Sequence, residues 1–389
     1  MPSSLPCPSF PGAARRARTV GMLSSFPPTQ CGLATFTAAL ASGLATHGTN
    51  VRVVQVVDRG QPASSGELVI GQLVNGSPTS VSQASELLNR ADVAVVQHEY
   101  GLYGGTDGDE IVDILGGLTV PSIVVAHTVL SRPSAHQWSV LNDVAALAEQ
   151  VVVMSDAARI RLCEIFTVDP DKVVTIAHGA AVPPRVAYKT SPRPTLLTWG
   201  LIGPGKGIER AIEAMRTLHD HPTRPRYLVA GRTHPKVLAA DGESYRDARR
   251  QQARLNGTSH AVTFDHDYRD VAALTTLIQS SAVVVLPYDS KEQATSGVLV
   301  DAVAAGRPIV ATAFPHAVEL LSSGAGIVVD HDDPDAMARA LRRILNDPDL
   351  AARMAAEASR LAPSLGWPVV ASEYLAVANR LLAGHPVLV

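Results

Sequence analysis

A chain of 389 residues carrying a net charge of −3 has room for two to three domains at about 150 residues each, and so small a charge excludes a general attraction to nucleic acid or anionic lipid. Hydrophobic residues make up 46% of it and aromatic residues only 4%, so the core must be built from Ala, Val, Leu and Ile, a composition that suits parallel sheets covered by helices. No apolar run approaches the roughly 18 residues of a membrane span, and the cysteines, Cys7, Cys31 and Cys163, have neither disulfide nor zinc spacing, as expected in a reducing cytoplasm.

Residues 1–16 are rich in Pro, Ser and Arg and lack a continuous apolar core, so they read as a disordered arm and not as a secretion signal. Aliphatic strand patterns follow at ARTVGMLS (17–24), VRVVQVV (51–57), VAVVQH (93–98), SIVVAH (122–127), VVVMS (151–155) and VVTIAH (173–178). Helical segments separate them, and this alternation predicts a parallel, doubly wound sheet over 17–181. The proline-rich stretch VPPRVAYKTSPRP (182–194) has the composition of a stiff connector. A second series occupies 195–365: TLLTWG (195–200), RYLVAG (226–231), HAVTF (260–264), AVVVLP (282–287), PIVAT (308–312) and AGIVV (325–329). Residues 335–347 predict an amphipathic helix with Met337, Leu341, Ile344 and Leu345 on one face. The last segment, 366–389, is expected to form a helix that packs back on the first domain. Two Rossmann-like halves are therefore expected.

Sheets of this kind bind ligands beyond the carboxyl ends of their strands, which draws attention to His98 with Glu99, His127, His178, Lys206 and Arg232. A histidine at such a place is more often a structural hydrogen-bonder than a ligand contact; three at equivalent positions around one crevice weaken that reading for the set but not for each member. Two turns stand out, WGLIGPGKGIE (199–209) and YDSKEQATSGVLVDAVAAGRP (288–308). Each joins a strand to a helix and so offers unpaired N–H groups and a positive helix end to an anion. The first carries Lys206, suited to a pyrophosphate. The second carries Glu292, Gln293 and Asp301, suited to ribose and sugar hydroxyls, and the N–H groups of Ser296 and Gly297 at its helix start suit a phosphate. Either turn alone is equally compatible with a glycine placed for packing; together they point to a nucleotide sugar. An NAD-type oxidoreductase would want a third glycine where GPGKG has none, and would not place a lysine inside the turn. There is no DxD triplet beside a strand end, and Lys206 with the helix ends can supply the charge, so neither metal nor cofactor is expected.

These two turns, with PPTQCGLATFTAALA (27–41), QHEYGLYGG (97–105), HTVL (127–130), VVVMSDAA (151–158), IAHGA (176–180) and VAGRTHP (229–235), resemble the family-4 retaining glycosyltransferases of GT-B architecture, and the resemblance runs from about residue 20 to 330. It implies two Rossmann-like domains facing across a cleft, the first on the acceptor side and the second on the donor side. The implied activity is transfer of a glucose- or mannose-type hexose from a nucleotide diphosphate sugar to a hydroxyl of a glycan or small molecule. By this resemblance His127 lies near the donor sugar, His98, Glu99 and Tyr100 face the acceptor or sugar side, and Gly32 brings backbone close to the donor phosphates. Lys206 would neutralise the diphosphate, and Ser296, Gly297 and Val298 would belong to the donor site. The chain departs from the family in two places. Leu201 stands where the family usually has an arginine, and Arg232 is either a substitute cation or simply part of the cleft wall. Gln293 and Asp301 stand at the family's paired glutamates, with Glu292 beside the first. These departures keep open a sugar-nucleotide-binding protein with impaired catalysis.

Overall fold

The computed structural model describes residues 16–58, 60, 66–185, 191–267 and 269–384. The expected N-terminal arm, apart from Arg16, and the middle of the 182–194 connector lie outside them.

The first domain holds seven strands, β1 (Thr19–Ser24), β2 (Asn50–Val57), β3 (Val69–Val74), β4 (Val93–His98), β5 (Ser122–Ala126), β6 (Gln150–Val153) and β7 (Val173–Thr175). The second holds β8 (Thr195–Trp199), β9 (Arg226–Ala230), β10 (Val262–Asp265), β11 (Val283–Leu286), β12 (Ile309–Thr312) and β13 (Gly326–Val329). All described pairings are parallel, and the orders are β3-β2-β1-β4-β5-β6-β7 and β10-β9-β8-β11-β12-β13. Both sheets are thus doubly wound, as the strand–helix alternation predicts. Every residue of β4 and of β11 is buried, because helices cover both faces; this is why these strands read as unbroken aliphatic runs.

β3 carries no strand signal in the sequence. It is an edge strand whose VIGQLV pattern is interrupted by Gly71 and Gln72 and is only partly buried. Leu87 Cδ1, on the helix Pro78–Leu88, occupies the space beside Gly71 and would have to turn aside for a Cβ there.

The chain crosses between domains twice, and the crossings touch: Ala180 N–H donates to Leu365 O at 2.7 Å. After the second crossing the helix Trp367–Gly384 lies against the helix Gly32–Thr46 of the first domain. A Cβ on Gly43 would come within 2.7 Å of Trp367 O, so the glycine permits the close approach. Tyr374, Val377 and Leu382 join the first domain's core, and Asn379 Oδ1 accepts from Ala17 N–H at 2.8 Å. Among the described residues no helix is long and apolar enough to cross a membrane.

Candidate active site

Each sheet reverses its winding once, between β1 and β4 in the first domain and between β8 and β11 in the second. Ligands of open α/β sheets bind outside the strand ends at such points. A cleft of about 690 Å³ opens there, with Gly32, Glu99 and His127 on one wall and Lys206, Arg232, Gly297, Val298 and Asp301 on the other.

The second-domain wall is shaped by glycines. A Cβ on Gly207, whose φ is +62°, would lie 1.7 Å from Pro287 O, and one on Gly231, φ +125°, would lie 2.1 Å from Gly200 O. Backbone therefore meets backbone where β8, β9 and β11 end. Lys206 Nζ sits 4.6 Å from the centroid of the Tyr288 ring, a cation–π contact, and no ion pair joins it among the described residues. Leu201 lines the same wall. Arg232 is exposed, and its Nη1 donates across the cleft to Gln30 Oε1 at 2.9 Å. Behind it the fully buried Arg246 donates to Gly231 O at 2.7 Å and to Glu243 at 3.2 Å, fixing the segment that carries Arg232.

At the helix Gly297–Ala304, Ser296 is the N-cap: its Oγ accepts from Leu299 N–H at 3.2 Å, and its own N–H donates to His316 Nδ1 at 2.9 Å. This corrects the expectation that the Ser296 N–H faces a phosphate, since its bonding capacity is used within the protein. Gly297 and Val298 both line the cleft at the start of the helix, where N–H groups have no intrahelical acceptor. Gln293 and Glu292 do not reach the wall. Gln293 Nε2 donates to Thr295 O at 3.1 Å, and Glu292 is drawn to Arg161 of the first domain, 3.5 Å between side chains, with its carbonyl accepting from Arg161 at 2.6 Å. Asp301 does reach it, and burial among apolar neighbours pushes its carboxyl up to about 7.

On the opposite wall the helix Gly32–Thr46 starts at the cleft, capped by Cys31 Sγ, which accepts from Ala34 N–H at 3.4 Å. A Cβ on Gly32 would meet nothing within 4 Å. His127 donates from Nε2 to Gln97 Oε1 at 2.6 Å, and its ring lies edge-on to Phe36 at 4.8 Å. Burial, reinforced by His178 and His98, brings its pKa down to about 3, so the imidazole is neutral. Glu99 accepts from Thr128 Oγ1 at 2.6 Å, and burial raises its carboxyl. His98 and Tyr100 are not in the wall. Side chains alternate along a strand, and His98, the last residue of β4, points inward at 1% exposure, edge-on to Tyr100 at 5.1 Å. Tyr100 donates to Gln137 O at 3.3 Å.

The cleft also contains two rings given no role by their sequence, Phe36 and Trp367. His178, Phe36 and Trp367 meet there, with ring centroids 5.0–5.8 Å apart. His178 is marked by its strand-end position, and Phe36 lies within the PPTQCGLATF stretch. Trp367 has no local signal, because it arrives with the second domain crossing.

Residues 185–361 match the family model described as glycosyl transferases group 1. D-inositol 3-phosphate glycosyltransferase of Kineococcus radiotolerans is 29% identical over 256 residues, 60% of this chain and 57% of that protein. Alpha-D-kanosaminyltransferase of Streptomyces kanamyceticus is 31% identical over 206 residues, 51% and 47%. The chain thus spans about half the length of these relatives. Among solved structures, sucrose-phosphate synthase of Thermosynechococcus elongatus superposes with a TM-score of 0.76 at 17% identity, covering 95% of this chain and all of that one. Anabaena HepE in complex with UDP and glucose superposes at 0.70 with 16% identity, covering 93% and 100%. At such identities the likeness establishes the fold. Residues 185–361 thus resemble a glycosyl transferases group 1 domain, and the chain as a whole has the two-domain GT-B fold.

Proposed function

We propose that the protein is a retaining hexosyltransferase that moves a glucose- or mannose-type sugar from a nucleotide diphosphate to an acceptor hydroxyl. The observation that carries this reading is one cleft in which Lys206 and the start of the helix Gly297–Ala304 face His127 and the start of the helix Gly32–Thr46. Leaving-group charge builds on the diphosphate, and a cation with helix N-termini around it stabilises that charge without a metal. Asp301 accepts from the ribose hydroxyls, and the leaving phosphate helps deprotonate the acceptor on the same face of the sugar. Glu99 lines the acceptor side. The free thiols Cys31 and Cys163 suit a cytoplasmic setting.

A second reading, a sugar-nucleotide-binding protein with impaired catalysis, is favoured by Leu201 in the wall and by Gln293 and Glu292 turned away from it. Thermal shift with UDP, GDP and ADP, then with the matching sugar nucleotides, tests the shared premise, because a ligand bound to the folded state alone raises stability with the logarithm of its concentration. Donor hydrolysis or transfer in excess EDTA then separates the two readings. Turnover supports the transferase, and binding without turnover supports the second reading. Turnover only after added magnesium or manganese counts against a metal-free site.

A further inference from the structure

We infer that His178 reads a hydroxyl of the donor sugar through Nε2, a specificity contact that rests on the nucleotide-sugar reading above and narrows it to neutral sugars. The tautomer is set by the backbone. His178 Nδ1 lies 2.7 Å from Gly179 O, and since a carbonyl only accepts, the proton is on Nδ1 and Nε2 carries a lone pair. The ring lines the cleft. It is clamped edge-on by Phe36 at 5.1 Å and by a tilted Trp367 ring at 5.8 Å, while Trp367 packs so closely on Gly179 that a Cβ there would fall 2.3 Å from Cε3.

Nε2 also has a defined address. A Cβ on Gly297 would lie 2.8 Å from it, so the imidazole fills the room a side chain would take at the first residue of the helix Gly297–Ala304. Glycine at 297 and histidine at 178 are therefore complementary. In the loop before this helix the Gln293 and Glu292 side chains do not line the cleft: Gln293 Nε2 donates to Thr295 O and Glu292 is held by Arg161. His178 supplies the acceptor from the other domain. A fixed lone pair repels a phosphate oxygen and accepts from a hydroxyl, which assigns it to the sugar. His127, with its Nε2 proton committed to Gln97 Oε1, has only Nδ1 to offer and is an acceptor as well. Burial keeps both rings neutral, His178 with a pKa of about 4. Two acceptors without a donor suit hydroxyl groups and disfavour a uronate, whose carboxylate brings only lone pairs.

The test compares wild type, His178→Asn and His178→Gln. Asn keeps a donor to Gly179 O and loses the acceptor at the Nε2 position; Gln places an amide oxygen near that position. Binding is measured by calorimetry with UDP, UDP-glucose and UDP-glucuronate, or with the GDP or ADP counterparts if those stabilise the protein instead. Expected is UDP affinity unchanged within about twofold in both variants, with UDP-glucose weakened about tenfold by Asn and largely restored by Gln. Wild type should also prefer glucose to glucuronate by about tenfold or more, and Asn should narrow that preference. Equal weakening of UDP and UDP-glucose, or an Asn variant that binds UDP-glucose like wild type, would overturn the role of His178 and leave the nucleotide-sugar reading standing. A wild type that binds no nucleoside diphosphate would overturn both.

Discussion

Lys206 is held by an aromatic face, not by a carboxylate, and a cation so placed keeps its field for an incoming anion. Lys206→Ala should therefore lower the transfer rate by about 10²–10³-fold and weaken nucleoside diphosphate binding; near-normal turnover would remove it from the mechanism. Arg232 is the second cation of this wall, tied to Gln30 across the cleft. If it shares the diphosphate bidentately, Arg232→Ala should weaken UDP or GDP binding and spare the bare nucleoside, and adding Leu201→Arg should recover part of the loss. Equal weakening of nucleoside and diphosphate would assign Arg232 to the acceptor instead. Asp301 makes a prediction in pH. Its carboxyl rises from 3.8 to about 7 on folding, so between those values the folded state keeps a proton that the unfolded state gives up. The contribution of Asp301 to stability should consequently fall as pH rises from about 4 to 7, against the opposite trend of the buried histidines, whose pKa values are lowered. Asp301→Asn removes that contribution, and the stability gap in favour of the variant should widen across this window in urea melts; parallel curves would show that Asp301 is solvated. At this scale the residue types at the strand ends were legible in the sequence, but not the directions in which they point. Glu99 and His98 are neighbours, and the pleat sends one into the cleft and the other away from it.

The turn between β8 and the helix Ile208–Thr217 was readable as a glycine-rich junction, yet the sequence does not say which glycine is needed. Gly205 and Gly207 both have positive φ, +86° and +62°. A Cβ on Gly205 meets nothing within 4 Å, whereas one on Gly207 strikes Pro287 O, which lies 80 positions further along the chain. Gly205→Ala should cost about 1–2 kcal/mol, the left-handed backbone penalty alone. Gly207→Ala should cost more, because β11 or the Lys206 loop must also move, and should weaken diphosphate binding together with stability. Thermal melts with and without UDP or GDP check the order, and equal effects at the two sites would show that the loop gives way freely. The same limit explains β3. Aliphatic periodicity finds strands buried on both faces, while a partly buried edge strand interrupted by Gly71 and Gln72 leaves no such pattern.

The relative placement of the two domains was the least legible feature, because it depends on pairs far apart in sequence. Besides the Arg232–Gln30 contact, Ser155 Oγ donates to Ala294 O, Arg161 to Glu292 O, and Glu319 accepts from the N–H groups of Asp156 and Ala157 at 3.0 and 2.9 Å. Glu319 thus caps a first-domain helix, Asp156–Ile165, from the second-domain helix Pro315–Leu320. A carboxylate is favourable at a helix N-terminus, and here the cap also fixes how one wall of the cleft faces the other. Glu319→Ala should cost about 1–2 kcal/mol, less than two fully buried charge-assisted bonds because Asp156 is exposed. Its functional effect should be selective. Lys206, Asp301 and the start of the helix Gly297–Ala304 all belong to the second domain, which leaves only the start of the helix Gly32–Thr46 to the first, so nucleoside diphosphate affinity should change by no more than about twofold. In the proposed transferase the sugar must also be held by His127 opposite them, and a small misplacement of reacting groups lowers rates steeply. Expected, therefore, is a variant that binds nucleotide normally and turns over slowly. Glu319→Gln, which keeps one acceptor oxygen, should fall between Ala and wild type. A variant that melts earlier with full turnover would reduce Glu319 to a helix cap, and one that loses nucleotide affinity would show that the second domain depends on the first for its own site.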